Sequence, residues 1–225
     1  YIIAVTGSVG KTSTKDAIYS LISSNLKVRK SEKSFNSEIG VPLTILGVAN
    51  AWSDPVAWLK NIFYGLELIF FKFPYPECLV VEVGADHPND IKNVAKWLKP
   101  DIAVLTKVGS VPVHVEFFPS IESLLLEKFQ LPKALKKNGV FVFSNDDIAI
   151  KSLAPAIERK QFTFAIDNNA DLTAKDESIL YEERDGLKFP IGISFNLNLN
   201  NTNHTVKLEG VIGKQHIYPI LGAVS

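Results

Sequence analysis

The first fifteen residues constrain the fold and chemistry of this chain more than any other stretch. An apolar run from Tyr1 to Val5 ends in Thr6-Gly-Ser-Val-Gly-Lys-Thr12, and a helical pattern follows from about Lys11 to Ser24. A strand, a glycine-containing loop and a helix in this order present backbone N–H groups and a helix N-terminus to phosphate oxygens. The stretch therefore predicts a nucleotide phosphate site. The alternative is an ordinary strand-to-helix turn with a surface lysine.

Each residue type in this loop has a physical role in such a site. Gly7 and Gly10 allow backbone angles and close approach that a side chain would block. Lys11 can reach the terminal phosphates as a point charge, and the Thr12 hydroxyl can ligate Mg²⁺. Only the second half of the P-loop pattern is present, because Val5 stands where the full pattern has glycine. The residues predicted to bind the nucleotide here are Gly7, Ser8, Val9, Gly10, Lys11, Thr12 and Ser13.

Composition limits the class of protein. A length of 225 residues with 46% hydrophobic content suits one large α/β domain, and balanced charges, 24 basic and 24 acidic, indicate no nucleic-acid partner. The single cysteine, Cys78, excludes an internal disulfide, predicts a buried inert thiol and fits a cytoplasmic protein. The chain has no methionine and opens within a strand pattern, so we expect an excised piece of a longer protein.

The longest apolar run, Ile62 to Phe71, is too short to span a bilayer and carries Glu67. It predicts a helix that is buried or faces a partner. The alternative for this run is contact with a membrane surface.

Apolar runs alternate with helical patterns up to about residue 170, which predicts a mostly parallel sheet flanked by helices. The predicted strands are 1–5, 27–30, 78–84, 101–106, 140–143 and 162–166, and the predicted helices are 11–24, 55–71, 91–98 and 120–137. Segments 172–181, 187–199 and 205–211 then alternate apolar and polar residues between turn signals, which predicts a small antiparallel sheet. We therefore expect a P-loop α/β core over 1–170, an antiparallel appendage over 171–211, and a helix beginning at 212.

Several polar residues lie near the ends of predicted strands or on loops, where they could contact a bound nucleotide. Glu82 ends the apolar run 78–84, and a carboxylate at the carboxyl end of a central strand lies beside the nucleotide crevice, where a Mg²⁺ ligand is required. The alternative is a solvated strand end. Asn36 and Glu38 stand on a loop that runs into an apolar segment, near the P-loop if the connection is short. Alone, this loop is typical of a surface turn.

Together these motifs resemble the central ATP-binding domain of the Mur ligases. Four segments carry the resemblance, namely Thr6–Thr12, Asn36–Thr44, Val81–Pro88 and His114–Phe118. The resemblance extends over residues 1–147. The predicted hairpins at 171–211 match the family only in their alternation of apolar and polar residues. The resemblance implies that 1–225 is a central domain whose N-terminal substrate domain and C-terminal domain are missing. The match within the family is to members that add D-alanyl-D-alanine to a UDP-N-acetylmuramoyl tripeptide.

The resemblance also implies a reaction of peptidoglycan precursor synthesis. ATP phosphorylates a peptide carboxylate to an acyl phosphate, and the amine of the dipeptide displaces phosphate to form an amide. ATP and Mg²⁺ are the implied cofactors, and a nucleotide-sugar peptide and a dipeptide are the implied substrates. We expect a monomer without a membrane span, and inefficient turnover by the isolated domain because closure of a following domain completes the site.

Residue roles follow from the same resemblance. Lys11 and the loop amides would hold the β- and γ-phosphates, and Thr12 and Glu82 would hold Mg²⁺. His114 would bind a second Mg²⁺, and Lys128 stands where the family has a carbamylated lysine. The implied catalytic residues are Lys11, His114 and Lys128, and the implied substrate-side residues are Asn36, Glu38 and His87.

The match departs from the family near its end. The family usually has His-Asn-x-x-Asn there, whose asparagines contact adenine, whereas this chain has Gln215, His216 and Pro219 at those positions. His216 is the residue expected to contact the nucleotide. Lys107 and Ser144 also replace asparagines. Two other functions therefore remain open: a folylpolyglutamate-synthase-like or cyanophycin-synthetase-like ligase, and a degenerate module that binds nucleotide or a partner without turnover.

Overall fold

One sheet organises the part of the chain that the computed structural model describes, which is residues 1–32, 35–71, 73–109, 117–200 and 202–225. Its nine strands lie in the order β2-β3-β1-β4-β5-β6-β7-β8-β9. The strands are β1 Ile2–Thr6, β2 Val28–Lys30, β3 Cys78–Glu82, β4 Ile102–Leu105, β5 Val140–Ser144, β6 Lys160–Ala165, β7 Leu172–Arg184, β8 Leu187–Leu199 and β9 Thr202–Glu209. The helices are α1 Lys11–Ile22, α2 Gly40–Leu46, α3 Pro55–Phe70, α4 Asp90–Leu98, α5 Ile121–Lys128, α6 Gln130–Lys133, α7 Ile148–Leu153 and α8 Ile217–Val224.

The strand directions confirm the predicted fold class. Strands β1 to β6 pair in parallel, and β7, β8 and β9 pair antiparallel. The antiparallel strands extend the same sheet, since β7 pairs in parallel with β6 through Phe164 and Leu172. The central strand β1 lies between β3 and β4, so the carboxyl ends of these three strands meet at one edge, where open α/β sheets bind ligands.

Two apolar layers cover the sheet, and successive residues of one strand enter opposite layers. Ala4, Val81 and Leu105 belong to the layer that also contains residues of α4 to α7. Val5 and Val80 belong to the layer that contains residues of α1 and α8. Burial on both faces explains why the central strands are continuous apolar runs.

Four helical segments differ from the expectation. Helix α7 was not predicted, and α8 begins at Ile217 rather than at 212. The helix predicted over 120–137 is broken into α5 and α6 at Phe129, because Pro132 has no N–H with which to continue the i→i−4 bonds. Its start is as expected, with the Ser120 hydroxyl accepting the Ser123 N–H at 3.1 Å. The segment 40–46, which the sequence indicated only as apolar chain after a loop, is helix α2, and Pro42 lies in its first turn.

Helix α3 begins as expected at Pro55, and the Asp54 carboxylate accepts the N–H groups of Val56 and Ala57. None of the helices in the described ranges is long and apolar enough to cross a bilayer. Cys78 is buried in β3, and this burial raises the pKa of its thiol, in agreement with the predicted inert cysteine.

Candidate active site

The P-loop joins β1 to α1 and leaves the start of that helix open. Gly10 precedes α1 at φ 84°, and no side chain caps the helix N-terminus. The first N–H groups of a helix have no intrahelical partner, so they are available to an anion. At Gly7, a Cβ would lie 2.0 Å from Thr106 Oγ1, so only glycine fits against Thr106, the residue after β4.

Glu82 lies directly beside this loop. Val5 of β1 is in register with Glu82 of β3, which brings the carboxylate to the end of β1. The Thr12 hydroxyl donates to Glu82 Oε2 at 2.8 Å, and the Asn36 amide donates to Glu82 Oε1 at 3.2 Å. Glu82 is 1% exposed. The structure thus brings together Thr12, Glu82 and Asn36, three residues that the sequence singled out separately.

Two lysines flank the P-loop. Burial lowers the pKa of Lys11, although Glu82 and Asp86 oppose this shift by favouring its charged form. Lys128 of α5 is 4% exposed and donates to the Gly7 carbonyl at 3.1 Å. Burial, and then the charge of Lys11, lower the pKa of Lys128 to about 8. A larger fraction of Lys128 is therefore neutral near pH 7 than of an ordinary lysine, and the neutral amine is the form that can react with carbon dioxide.

The buried charge of Lys128 should cost stability at neutral pH. Between pH 8 and 10.5 the unfolded chain holds a proton that the folded chain has lost, so stability rises with pH across this window. We expect Lys128→Met to raise the free energy of unfolding at pH 7 by about 2 kcal/mol, and this gain to shrink as the pH approaches 10. Denaturant unfolding of both proteins at several pH values measures the effect. A gain that stays constant from pH 7 to 10 would contradict it.

The residues present fit a bound Mg²⁺. This ion usually takes one or two carboxylates and completes its shell with waters and phosphate oxygens. Glu82 and the Thr12 hydroxyl supply such a set, and no group of three or more His, Cys, Asp or Glu residues in the described ranges could hold a metal ion alone. In addition, Thr6 Oγ1 and Ser8 Oγ are buried without a hydrogen-bond partner among the described atoms. A polar ligand on the loop would therefore meet hydroxyls ready to bind it.

The other predicted residues are placed as follows. Glu38 is exposed and accepts from the Asn93 amide of α4 at 2.9 Å. His87 is exposed, and its ring centroid lies 4.8 Å from that of Phe117. These two side chains contact α4 and the start of the segment before α5, whereas Asn36 contacts Glu82. His114 lies outside the described residues.

A cavity of about 250 Å³ adjoins the P-loop at Val9 and Gly10. Its lining is mainly apolar and comes from the P-loop, α1, the segment after β4, β6 and the region around the start of α8, namely Val9, Gly10, Thr14, Thr106, Lys107, Gly109, Phe164, Gln215, Tyr218 and Pro219. Gln215 and Pro219 stand at two of the positions where the family's base-contacting motif was expected. His216, the residue predicted to contact the nucleotide, is half-buried. It follows Gln215 in the chain but does not itself line the cavity.

Tyr218, in this lining, was not singled out from the sequence. Its hydroxyl donates to Asp146 Oδ2 at 3.0 Å, and burial together with this bond raises the pKa of Tyr218. The ammonium of Lys107 lies 5.7 Å from the centre of the Tyr218 ring. The sequence around Tyr218 does not indicate a functional role, because its hydrogen-bond partner Asp146 is distant in sequence.

The loop after β4 also supports the P-loop. The Lys107 carbonyl accepts the N–H groups of Ser8 and Val9 at 3.0 and 3.1 Å. The buried Asp147 carboxylate accepts the N–H groups of Val108 and Gly109 at 2.9 and 3.3 Å. Asp147 therefore fixes the backbone against which the P-loop rests, a role that the sequence analysis missed.

A model of the Mur ligase middle domain matches residues 5–58 and 61–225 of the chain. The chain belongs to the Mur ligase middle domain family. Among curated relatives, it is 27% identical over 190 residues to the UDP-N-acetylmuramoyl-tripeptide–D-alanyl-D-alanine ligase of Bacillus subtilis, covering 84% of this chain and 35% of the relative. It is 28% identical over 224 residues to the enzyme of that name from Mycobacterium bovis, covering 100% of this chain and 37% of the relative. The chain thus spans about a third of the length of these Mur ligases.

Solved structures agree with the family. The MurF ligase of Thermotoga maritima in complex with ADP matches with a TM-score of 0.73 and 27% identity over 99% of this chain and 44% of its own. An FPGS–AMPPCP complex matches with a TM-score of 0.62 and 16% identity over 100% of this chain and 57% of its own. At that identity the second match shows the fold alone.

Proposed function

We propose that this chain is the ATP-binding part of a ligase that joins D-alanyl-D-alanine to a UDP-N-acetylmuramoyl tripeptide. The relatives named above carry this activity in their names. The observation that carries the proposal is the hydrogen bond from Thr12 to Glu82 at 2.8 Å, at the start of a helix that no side chain caps. In this proposal the uncapped amides at the start of α1, the Lys11 cation and the Thr12–Glu82 pair would supply the anion contacts and metal ligands that phosphoryl transfer to a carboxylate requires.

Each residue of the site then has a proposed role. The P-loop amides and Lys11 would hold the β- and γ-phosphates, and Thr12 and Glu82 would hold Mg²⁺. Bound there, Mg²⁺ would neutralise charge on the phosphate oxygens. Asn36 orients the Glu82 carboxylate through its hydrogen bond.

Further roles rest on the family resemblance. Lys128, whose pKa is lowered to about 8, is the proposed site of carbamylation. His114 is a proposed ligand of a second Mg²⁺. Glu38 and His87 are proposed to face the peptide substrate. Selection of the nucleotide sugar and of the incoming amine would lie largely on flanking domains of the longer protein.

The cavity beside the P-loop is proposed to receive the adenine base. Its apolar lining, with Phe164 and Tyr218, suits a flat aromatic ligand. His216 would contact the nucleotide at the cavity's edge, and Gln215 could supply an amide in place of the family's asparagine. Base recognition would thus differ in detail from the usual family motif.

Stacking on Tyr218 predicts a selective effect on nucleotide binding. Stacking of a base on an aromatic side chain contributes about 1–3 kcal/mol, so Tyr218→Ala should weaken ADP binding about tenfold. Affinity for inorganic triphosphate should be unchanged, because it has no base. Tyr218→Phe keeps the ring and serves as the control for loss of the Asp146 hydrogen bond. Calorimetry measures all three proteins, and an equal loss for both ligands would contradict the assignment.

Phosphate release from ATP tests the reaction itself. With the protein in its natural length, release should require both UDP-N-acetylmuramoyl tripeptide and D-alanyl-D-alanine. A folate with glutamate is the comparison for the folylpolyglutamate-synthase-like alternative. Release with that pair and none with the cell-wall substrates would overturn the proposed specificity while leaving ATP binding intact.

A further inference from the structure

Helix α3 carries an apolar surface that the proposed reaction does not use. All sixteen of its residues are described, and none is buried. Its inner side is held against α2 and the preceding loop, with the Asn61 amide donating to the Ala49 carbonyl and Gly65 packing on Leu46. The outward side consists of the α3 stripe, which we define as Val56, Leu59, Ile62, Phe63, Leu66, Ile69 and Phe70. These side chains are between 44% and 77% exposed.

The spacing within the α3 stripe is that of a helix-pairing surface. Val56, Leu59, Phe63, Leu66 and Phe70 follow one another at alternating steps of three and four residues. These are the a and d positions of a heptad, and Ile62 and Ile69 widen the stripe at g positions. Such a stripe normally packs against another helix, whereas here it faces outward.

The size of the surface matches one side of a stable interface. A phenylalanine presents about 150–250 Å², so Phe63 and Phe70, at 57% and 77% exposed, offer on the order of 200–330 Å². The five aliphatic members of the stripe, at 44–75% exposed, add a larger area. The sum approaches the roughly 800 Å² per partner that a standard protein interface buries, and it exceeds the largest apolar patch of a typical monomer.

The charges beside the stripe favour a second copy of this chain as the binding partner. Lys60 and Glu67 are both exposed and both occupy the e position, one heptad apart on the same flank. In an antiparallel pair of identical helices, e positions face e positions, so Lys60 of each copy would lie opposite Glu67 of the other. A membrane-surface helix is instead rich in Lys and Arg on its polar face, and Glu67 at the stripe's edge would be repelled by anionic lipid.

We propose that the α3 stripe pairs with the α3 stripe of a second copy of this chain, antiparallel, about a two-fold axis near Phe63. The dimer places Lys60 opposite Glu67 twice and buries the outward apolar face. It departs from the monomer expected from the sequence. It does not depend on the proposed ligase function, since α3 is separate from the P-loop.

Light scattering coupled to size-exclusion chromatography tests the association. The chain should form a dimer with a dissociation constant of about 10⁻⁶ M or lower. Phe63→Glu should leave it monomeric, whereas Ile148→Glu should not, although Ile148 is 84% exposed on α7. Lys60→Glu should weaken the dimer about tenfold, and the double exchange Lys60→Glu with Glu67→Lys should restore it. Circular dichroism and thermal unfolding verify that each variant is folded.

Cysteine cross-linking tests the orientation. Phe63→Cys lies near the proposed axis and should form a disulfide between copies under mild oxidation. Val56→Cys should not, because two such positions would be about 22 Å apart along the antiparallel helices. The native Cys78 is buried and does not compete. Mixing Val56→Cys with Phe70→Cys should give the cross-linked heterodimer.

Three results would overturn the proposal. The first is a chain that stays monomeric at a protein concentration 100-fold above the expected dissociation constant. A monomer that binds phospholipid vesicles through α3 counts as the same result. The second is a dimer that Phe63→Glu does not affect. The third is equal cross-linking of Val56→Cys and Phe63→Cys, which would indicate parallel helices.

Discussion

Replacing Lys11 with alanine should weaken binding of a non-hydrolysable ATP analogue with Mg²⁺ by about 100-fold. Lys11 stands at the first position of α1, and burial already lowers its pKa, so its charge is poorly solvated before a ligand arrives. A triphosphate would add counter-charge to that of Glu82 and Asp86. Hydrogen bonds between charged groups contribute about 1.5–3 kcal/mol, and the upper end of that range corresponds to the expected loss.

The control for Lys11 is an exposed lysine outside the P-loop. Lys151 on α7 meets this description, and Lys151→Ala should bind the analogue like the unaltered chain. Isothermal titration calorimetry measures both variants under the same conditions. If Lys11→Ala binds as tightly as Lys151→Ala, the loop is not a triphosphate site, and the degenerate interaction module becomes the better explanation.

Replacing Glu82 with glutamine should remove the dependence of nucleotide binding on Mg²⁺. The amide keeps the shape of the carboxylate and can still accept from Thr12, but it has no charge to hold the ion. Because Glu82 is 1% exposed, water reaches the site poorly and cannot fully replace the lost charge. In the unaltered chain we expect Mg²⁺ to raise affinity for the analogue at least tenfold, and in Glu82→Gln to have almost no effect.

Glu77→Gln is the matched control for this change. Glu77 is exposed just before β3, at the opposite end of the strand from Glu82, and it accepts a hydrogen bond from the Lys27 N–H. Its replacement should leave the response to Mg²⁺ unchanged. Calorimetric titration with and without Mg²⁺ gives the comparison. A Glu82→Gln protein that still responds to Mg²⁺ like Glu77→Gln would exclude Glu82 as the metal ligand.

The P-loop and Glu82 could be predicted from the sequence because both depend on local order. A strand, a loop with Gly7 and Gly10, and a helix define a phosphate site within a dozen residues. Glu82 follows from the rule that parallel strands bring their carboxyl ends to one edge. The register between Val5 and Glu82 agrees with that rule.

Other features depend on contacts between distant parts of the chain, which no local pattern encodes. Lys128 reaches the Gly7 carbonyl across 121 residues, and the helix that carries it is shorter than predicted. The pairing of Tyr218 with Asp146 spans 72 residues. Family resemblance pointed to Lys128, but its contact with the P-loop is visible only in the folded chain.

The outward face of α3 shows a different limit. Its sequence predicts a helix, and the structure agrees, but apolar residues occur on both its inner and outer sides. Hydrophobic periodicity therefore cannot say which side of α3 packs against α2. The fold decides this point by placing Asn61 and Gly65 against the neighbouring segment and leaving Phe63 outside.

The most direct test of the central claim is a crystal structure of the chain with a non-hydrolysable ATP analogue and Mn²⁺ in place of Mg²⁺. Anomalous scattering locates Mn²⁺ without reference to the surrounding atoms. We expect one peak between the Glu82 carboxylate and the Thr12 hydroxyl, with the triphosphate along the P-loop amides and Lys11. A triphosphate bound elsewhere, or a Mn²⁺ peak away from Glu82, would contradict the account.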